Sequence, residues 1–179
     1  AVIGCLSLLL LGVAAALAVD LLAIRGRVLS GLAGAVMASF PCLGYTFLYM
    51  FTASAYCLAI LLAVLSVWLA KRDGWVCWLL GALALALSMG TYQAYAALAI
   101  ALALVTVLAR TLDEEAGLRD TLALGLRLAA NLAAGAVLYY LMLKIFLAVK
   151  GLELLSYLGM DAASSGYPFA QLPRLIFES

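Results

Sequence analysis

The side chains best suited to chemistry in this sequence are Tyr92 and Gln93, followed by a second phenol at Tyr95. They belong to a short polar stretch, residues 88–95, inside a run that is otherwise apolar over residues 75–109. Hydrocarbon offers no hydrogen-bond partner to an amide, so Gln93 needs protein or water around it. An amide and phenols together can bind sugar hydroxyls and pack on a pyranose ring. The stretch therefore indicates either a sugar-binding surface or a solvated turn.

Two further groups are candidate substrate contacts. Tyr45, Tyr49 and Tyr56 recur near helical spacing. This spacing predicts either that they line one outer cavity with Tyr92 and Gln93 or that they form a stripe of aromatic residues at the membrane interface. Lys144 carries a point charge on a flexible stem, which suits a phosphate or pyrophosphate at a membrane surface. Ordinary snorkelling of a lysine gives the same pattern. No pair of outward-facing carboxylates has the spacing of an acid/base couple, which limits any enzymatic role that this sequence alone could support.

Several kinds of site are excluded by the residue types. The chain has no His, and its four cysteines form no CxxC pair, so we predict no metal site and no cofactor. We expect the cysteines to be buried as small hydrophobic residues. GxGxxG, the P-loop, GxSxG and HExxH are all missing. A net charge of +1 without a basic cluster predicts no nucleic-acid partner.

The composition is that of a polytopic membrane protein. Apolar residues make up 69% of the chain, whereas a soluble domain has about 45–50%. The run over residues 75–109 is about 35 residues long, and one crossing needs roughly 20, so it predicts two helices that turn at Tyr92 and Gln93. The predicted fold class is all-α, with about six transmembrane helices arranged largely as hairpins. The predicted spans are residues 1–24, 29–50, 54–70, 75–90, 94–109 and 128–149.

The segments outside these spans have their own predictions. Residues 111–127 allow a cytoplasmic amphipathic segment joined to the last span. Residues 150–179 are polar and rich in Gly and Pro, which predicts an extracytoplasmic loop. Both ends of the sequence fall within segments, so we expect a piece of a longer protein.

The basic residues predict the orientation. Seven lie on one side of the predicted bilayer: Arg25, Arg27, Lys71, Arg72, Arg110, Arg119 and Arg127. Lys144, Lys150 and Arg174 lie toward the other side, so the positive-inside rule makes the first side cytoplasmic. All three Trp fall at the cytoplasmic ends and all nine Tyr in the outer half, which an aromatic belt or a tyrosine-rich outer cavity would explain. Asp20 lies about one turn from Arg25, which predicts an interfacial ion pair.

Two short motifs stand out within the hydropathy pattern of about residues 28–160. The first is Phe40-Pro41 followed by Tyr45-Thr-Phe-Leu-Tyr49, and the second is Ser88-Met-Gly90-Thr-Tyr92-Gln93-Ala-Tyr95. Together they resemble the glucosyl transferase II family. Members of that family are polytopic enzymes of the bacterial inner membrane that modify O-antigen or related surface glycans.

The resemblance implies a multi-pass, GT-C-like glycosyltransferase of the bacterial inner membrane. Its partners would be membrane lipid, a polyprenyl-phosphate sugar of the glucose type, and an acceptor glycan such as the O-antigen of lipopolysaccharide. Transfer would occur on the periplasmic side. The implied substrate contacts are Tyr92, Gln93, Tyr95, Tyr45, Tyr49 and Lys144. In such enzymes an Asp or Glu in an early outer loop usually deprotonates the acceptor hydroxyl, so we expect this base upstream of residue 1 and assign no catalytic residue within the sequence.

Other functions remain open at this point. A lipid-linked-glycan flippase or polymerase, a small-solute transporter segment and a structural multispan subunit have the same apolar character. An ion-coupled transporter would show charges within its spans or interrupted helices in related halves. Only Asp20 and Lys144 are charged within the predicted spans, and both lie near span ends, which argues against ion coupling.

Overall fold

The computed structural model describes residues 2–24, 26–38, 47, 51–113 and 117–151, and these ranges contain helices and turns without a strand. Their six helices are α1 (Val2–Leu21), α2 (Arg27–Ala38), α3 (Ala53–Lys71), α4 (Trp75–Thr91), α5 (Tyr95–Thr111) and α6 (Leu118–Lys150). Helices α1, α3 and α6 are long and apolar enough to cross a membrane, and the other three are shorter apolar helices. The all-α class is therefore confirmed for the described part of the chain.

Glycines precede two of the helices, and a polar stretch separates two others. Gly26 and Gly74 precede α2 and α4 with φ of 103° and 106°, a conformation that glycine adopts without steric cost. The turn between α4 and α5 falls at Tyr92–Ala94, inside the polar stretch. There the backbone amides of Tyr95 and Ala96 donate to the carbonyls of Tyr92 and Gln93, at 3.2 and 3.1 Å.

Helix α6 is the longest element, with 33 residues and no break from Leu118 to Lys150. At 1.5 Å per residue it is about 50 Å long, more than the roughly 30 Å of a hydrocarbon core. Residues 118–127, which the sequence assigns to an amphipathic segment, are the first turns of this same helix. The reason is that no proline interrupts its run of leucine and alanine, both strong helix formers. Of the predicted span at residues 29–50, the structure describes α2, residue 47 and nothing else.

The core lies among α1, α3, α4 and α5, where small side chains let the helices approach closely. Its buried alanines include Ala14, Ala18, Ala63, Ala70, Ala99 and Ala103. Between lipid-embedded helices the hydrophobic effect contributes little, so close packing and hydrogen bonds hold them together. One such bond joins α4 to α3, where the buried Ser88 Oγ donates to the carbonyl of Ala59 at 2.7 Å.

The tryptophans lie together where α3 ends and α4 begins, and we call Trp68, Trp75 and Trp78 the tryptophan end. The Trp68 indole donates to the Asp20 carboxylate at 2.7 Å, and the Arg72 guanidinium lies 3.7 Å from the centroid of the Trp68 ring. The described partner of Asp20 is thus an indole. Arg25, its expected partner, lies outside the described residues.

The cysteines differ from one another in burial. Cys57 is buried in the core and Cys77 is half-buried, but Cys5 is exposed on α1. The expectation of burial is therefore wrong for Cys5, because it lies on the face of α1 away from α3 and the rest of the core. Cys42 lies outside the described residues.

Candidate functional site

Three tyrosine rings form a cluster around the α4–α5 turn. Tyr56 lies in the first turn of α3, Tyr92 directly follows the last residue of α4, and Tyr95 begins α5. Their ring centroids are 5.5 Å apart for Tyr56 and Tyr92, 6.5 Å for Tyr56 and Tyr95, and 5.4 Å for Tyr92 and Tyr95, all edge-to-face. Such pairs contribute about 0.5–1.5 kcal/mol each beyond the area they bury. These contacts therefore hold the α4–α5 turn against the first turn of α3, and half of the Tyr92 side chain stays exposed.

Gln93 forms the second part of the site through a contact with α6. Its amide nitrogen donates to the hydroxyl of Tyr139, 46 residues further along the chain. The two side chains line an open cleft of about 430 Å³ together with Met89, Gly90, Thr91, Tyr92 and Ala94. Small-molecule sites have volumes of roughly 300–1,000 Å³, so the cleft suits a ligand of sugar size.

The polar side chains that line this cleft are uncharged. The Gln93 amide keeps its carbonyl oxygen as an acceptor, and the Tyr139 hydroxyl keeps its own proton to donate. A sugar offers hydroxyls that both donate and accept, and the Tyr92 ring offers an apolar face to its carbons. The arrangement is suited to binding a neutral ring and orienting it, and it supplies no acid or base.

Carboxylates are concentrated away from this cleft. Within the described ranges of the chain, the acidic residues are Asp20, Asp73, Asp113 and Asp120. Asp20 accepts a hydrogen bond from Trp68, and Asp73 pairs with Arg127 at 3.2 Å. Asp113 and Asp120 line a cavity on the same side of the helices as the tryptophan end. That cavity has a volume of about 910 Å³, the larger of the two, but it lies at the opposite ends of the helices from Gln93. The described part of the chain therefore brings no carboxylate to the tyrosine end, by which we mean Tyr56, Tyr92, Tyr95 and Tyr139.

The substrate contacts predicted from the sequence differ in where the structure places them. Tyr92, Gln93 and Tyr95 lie together at the tyrosine end, with Tyr56 beside them. Lys144 is exposed on the last part of α6. Tyr45 and Tyr49 lie outside the described residues.

Sequence reasoning missed the role of Tyr139. No local motif surrounds it, and its contact with Gln93 depends on how α6 packs. The available signal is its position on α6. It lies eight residues after the single asparagine of the helix, Asn131, and so on the same helical face.

A family model described as Glucosyl transferase GtrII matches residues 1–173, which include all six helices and the whole tyrosine end. No curated protein and no solved structure gives a significant match.

Proposed function

The chain belongs to the glucosyl transferase GtrII family, and from this premise we propose that it moves glucose from a polyprenyl-phosphate donor to a surface glycan of the O-antigen type. The proposal of glucosyl transfer is supported by the family membership. The uncharged cleft at Gln93 and Tyr139 supports the choice of a neutral sugar ring as its ligand.

The proposed setting is a bilayer crossed six times, with the tryptophan end in the cytoplasm. Support comes from Lys71, Arg72 and Arg110, which lie at the ends of helices on that side, as the positive-inside rule requires. Arg127 lies within α6 and pairs with Asp73, just before α4 begins. Helices α4 and α5 have 17 residues each, about 26 Å, which crosses a bilayer with slight thinning or snorkelling. In this orientation the tyrosine end faces the periplasm of a bacterial inner membrane.

Each substrate part has a proposed partner. Gln93 and Tyr139 hold the hydroxyls of the glucose, and the Tyr92 ring packs on its face. Tyr95 packs edge-to-face on the Tyr92 ring. Tyr45 and Tyr49 are proposed as further substrate contacts on the ground of the sequence alone. Lys144 is proposed as a partner of the donor phosphate on the ground of its charge and its place in the sequence. A Lys144→Gln variant with an unchanged KM for the donor would remove this role.

The proposed reaction is a single displacement at the anomeric carbon. The acceptor hydroxyl oxygen forms the new bond to that carbon, while the bond from the carbon to the phosphate oxygen breaks. Polyprenyl phosphate leaves with the electron pair, and a cation stabilises its charge. The hydroxyl proton passes to a carboxylate, which is not among the described residues of the tyrosine end.

Transfer of label tests this function. Membranes that carry the full-length protein receive radiolabelled polyprenyl-phosphate glucose and an acceptor glycan, and we expect label to appear in the glycan. Membranes without the protein are the control. Movement of the labelled lipid between leaflets without label in the glycan would contradict the proposal and favour a flippase.

A further inference from the structure

Helix α6 is held to the rest of the protein by a narrow stripe. Its buried residues are Thr121, Leu128, Asn131 and Gly135, at spacings of seven, three and four residues, which lie on one helical face. Large side chains such as Leu126, Val137 and Leu141 are exposed on its other faces. Because burial of apolar surface gives little drive between helices in lipid, the few contacts of the stripe fix the rotation and height of α6.

Asn131 makes the most specific contact of that stripe. Its side chain is 1% exposed, the amide nitrogen donates to the Trp78 carbonyl at 2.7 Å, and the amide oxygen accepts from Ser66 Oγ at 3.2 Å. Both halves of the amide are therefore used, one on α4 and one on α3. Sliding or rotating α6 would leave a buried amide without partners, which is unfavourable because the interior offers no water to replace the lost bonds.

The neighbouring contacts form a ladder between α6 and α4. Four residues before Asn131, Arg127 pairs with Asp73 and donates to the carbonyl of Arg72, just before α4 begins. Four residues after it, Gly135 lies against Ala82 and Leu85. One more step of four brings Tyr139 to Gln93. Positions on both helices increase together, so α4 and α6 run parallel and one register satisfies all four contacts.

From this ladder we propose that Asn131 is a positioning residue, which sets the register of α6 on α4 and so holds the Tyr139 hydroxyl at Gln93. It lies two helical turns, about 12 Å, from Tyr139 along α6 and does not line the cleft. Its effect on transfer rests on the proposed function. Its effect on the distance between residues 93 and 139 does not.

The alternative role for Asn131 is to hold the helices together without influence on the cleft. Loss of such a contact would lower the yield or thermal stability of the protein and leave each folded molecule unchanged. Loss of a positioning residue also changes the geometry at the cleft and raises the KM for the donor in the molecules that fold. Thr121 supplies a matched control, because it is buried on the same stripe but donates to no other helix: its hydroxyl bonds to the carbonyl of Gly117, the residue just before α6, at 3.3 Å.

The test measures the distance between residues 93 and 139 directly. Full-length protein in membranes has its natural cysteines replaced and carries Gln93→Cys and Tyr139→Cys, and a short bismaleimide joins the two thiols. A cross-linker is used because two long side chains that meet end to end place their backbones too far apart for a disulfide. With Asn131→Leu we expect the cross-linking rate to fall at least threefold, and with Thr121→Val we expect no change.

If Asn131→Leu does not fold, Ser66→Ala still decides the test. It removes one of the two hydrogen bonds of the Asn131 amide, so we expect the cross-linking rate to fall by less than in Asn131→Leu. Equal cross-linking rates in Asn131→Leu, Ser66→Ala and Thr121→Val would overturn the proposal. In protein with Gln93 and Tyr139 intact, we expect Asn131→Leu to raise the KM for polyprenyl-phosphate glucose about fivefold or more. If the unmodified protein transfers no glucose, the proposed function fails, and the cross-linking rates still decide the role of Asn131.

Discussion

Replacing Gln93 with alanine is expected to reduce glucosyl transfer by about tenfold to a hundredfold, with the protein still inserted in the membrane. The variant removes the amide that bonds to Tyr139 and, in our proposal, to the sugar. Loss of hydrogen bonds in a binding site costs about 1–3 kcal/mol, and each 1.4 kcal/mol is a factor of ten. The measurement is kcat/KM for polyprenyl-phosphate glucose, normalised to the amount of folded protein.

Thr111→Ala is the control for this variant. Thr111 ends α5 on the side away from the cleft, and its hydroxyl donates to Val107 within the same helix. We expect Thr111→Ala to keep normal transfer, and Tyr139→Phe to lose part of the activity that Gln93→Ala loses. Normal transfer in Gln93→Ala would assign Gln93 to a solvated turn.

Replacing Gly135 with alanine is expected to lower the melting temperature of the purified protein by roughly 3–10 °C. A Cβ on Gly135 would lie 2.7 and 2.8 Å from two carbons of Leu85, and 3.0 Å from the carbonyl oxygen of Ala82. Leu85 is buried and has little room to move, so α6 must shift away from α4. Overpacking of this kind costs about 1–3 kcal/mol.

Gly125→Ala supplies the matched control on the same helix. Its Cβ would meet only Val107, at 3.7 Å, an ordinary contact distance. Alanine is the better helix former by up to about 1 kcal/mol, so this variant should match or exceed the stability of the unmodified protein. A melting temperature that is unchanged in Gly135→Ala would show that α6 does not pack on α4 as described.

The helices of this chain are largely readable from its sequence, and the site is readable in part. Composition and apolar runs place α1, α3, α4 and α5 within a few residues of their observed bounds, because the runs are rich in leucine and alanine, which are strong helix formers. The polar stretch places the turn at Tyr92 and Gln93, because a glutamine needs hydrogen-bond partners that hydrocarbon does not offer. These features depend on local sequence alone.

The remaining parts of the site depend on packing between distant segments. The contact of Gln93 with Tyr139 follows from the register of α6, which Asn131, Gly135 and Arg127 determine. A hydropathy pattern contains the length of a helix but neither its rotation nor its neighbours. The sequence assigns residues 118–127 to an amphipathic segment joined to the last span, but its polarity does not show whether the segment continues straight into that span or lies at an angle to it.

The most direct test of the account is transfer in sealed, oriented membrane vesicles. The vesicles carry the full-length protein and are loaded with radiolabelled polyprenyl-phosphate glucose. A membrane-impermeant acceptor glycan is supplied on one side of the membrane only. We expect label in the glycan when it is supplied on the periplasmic side, where the tyrosine end lies in our proposal, and loss of that label in Gln93→Ala. Label that appears only with acceptor on the cytoplasmic side, or transfer that Gln93→Ala leaves unchanged, would contradict the account.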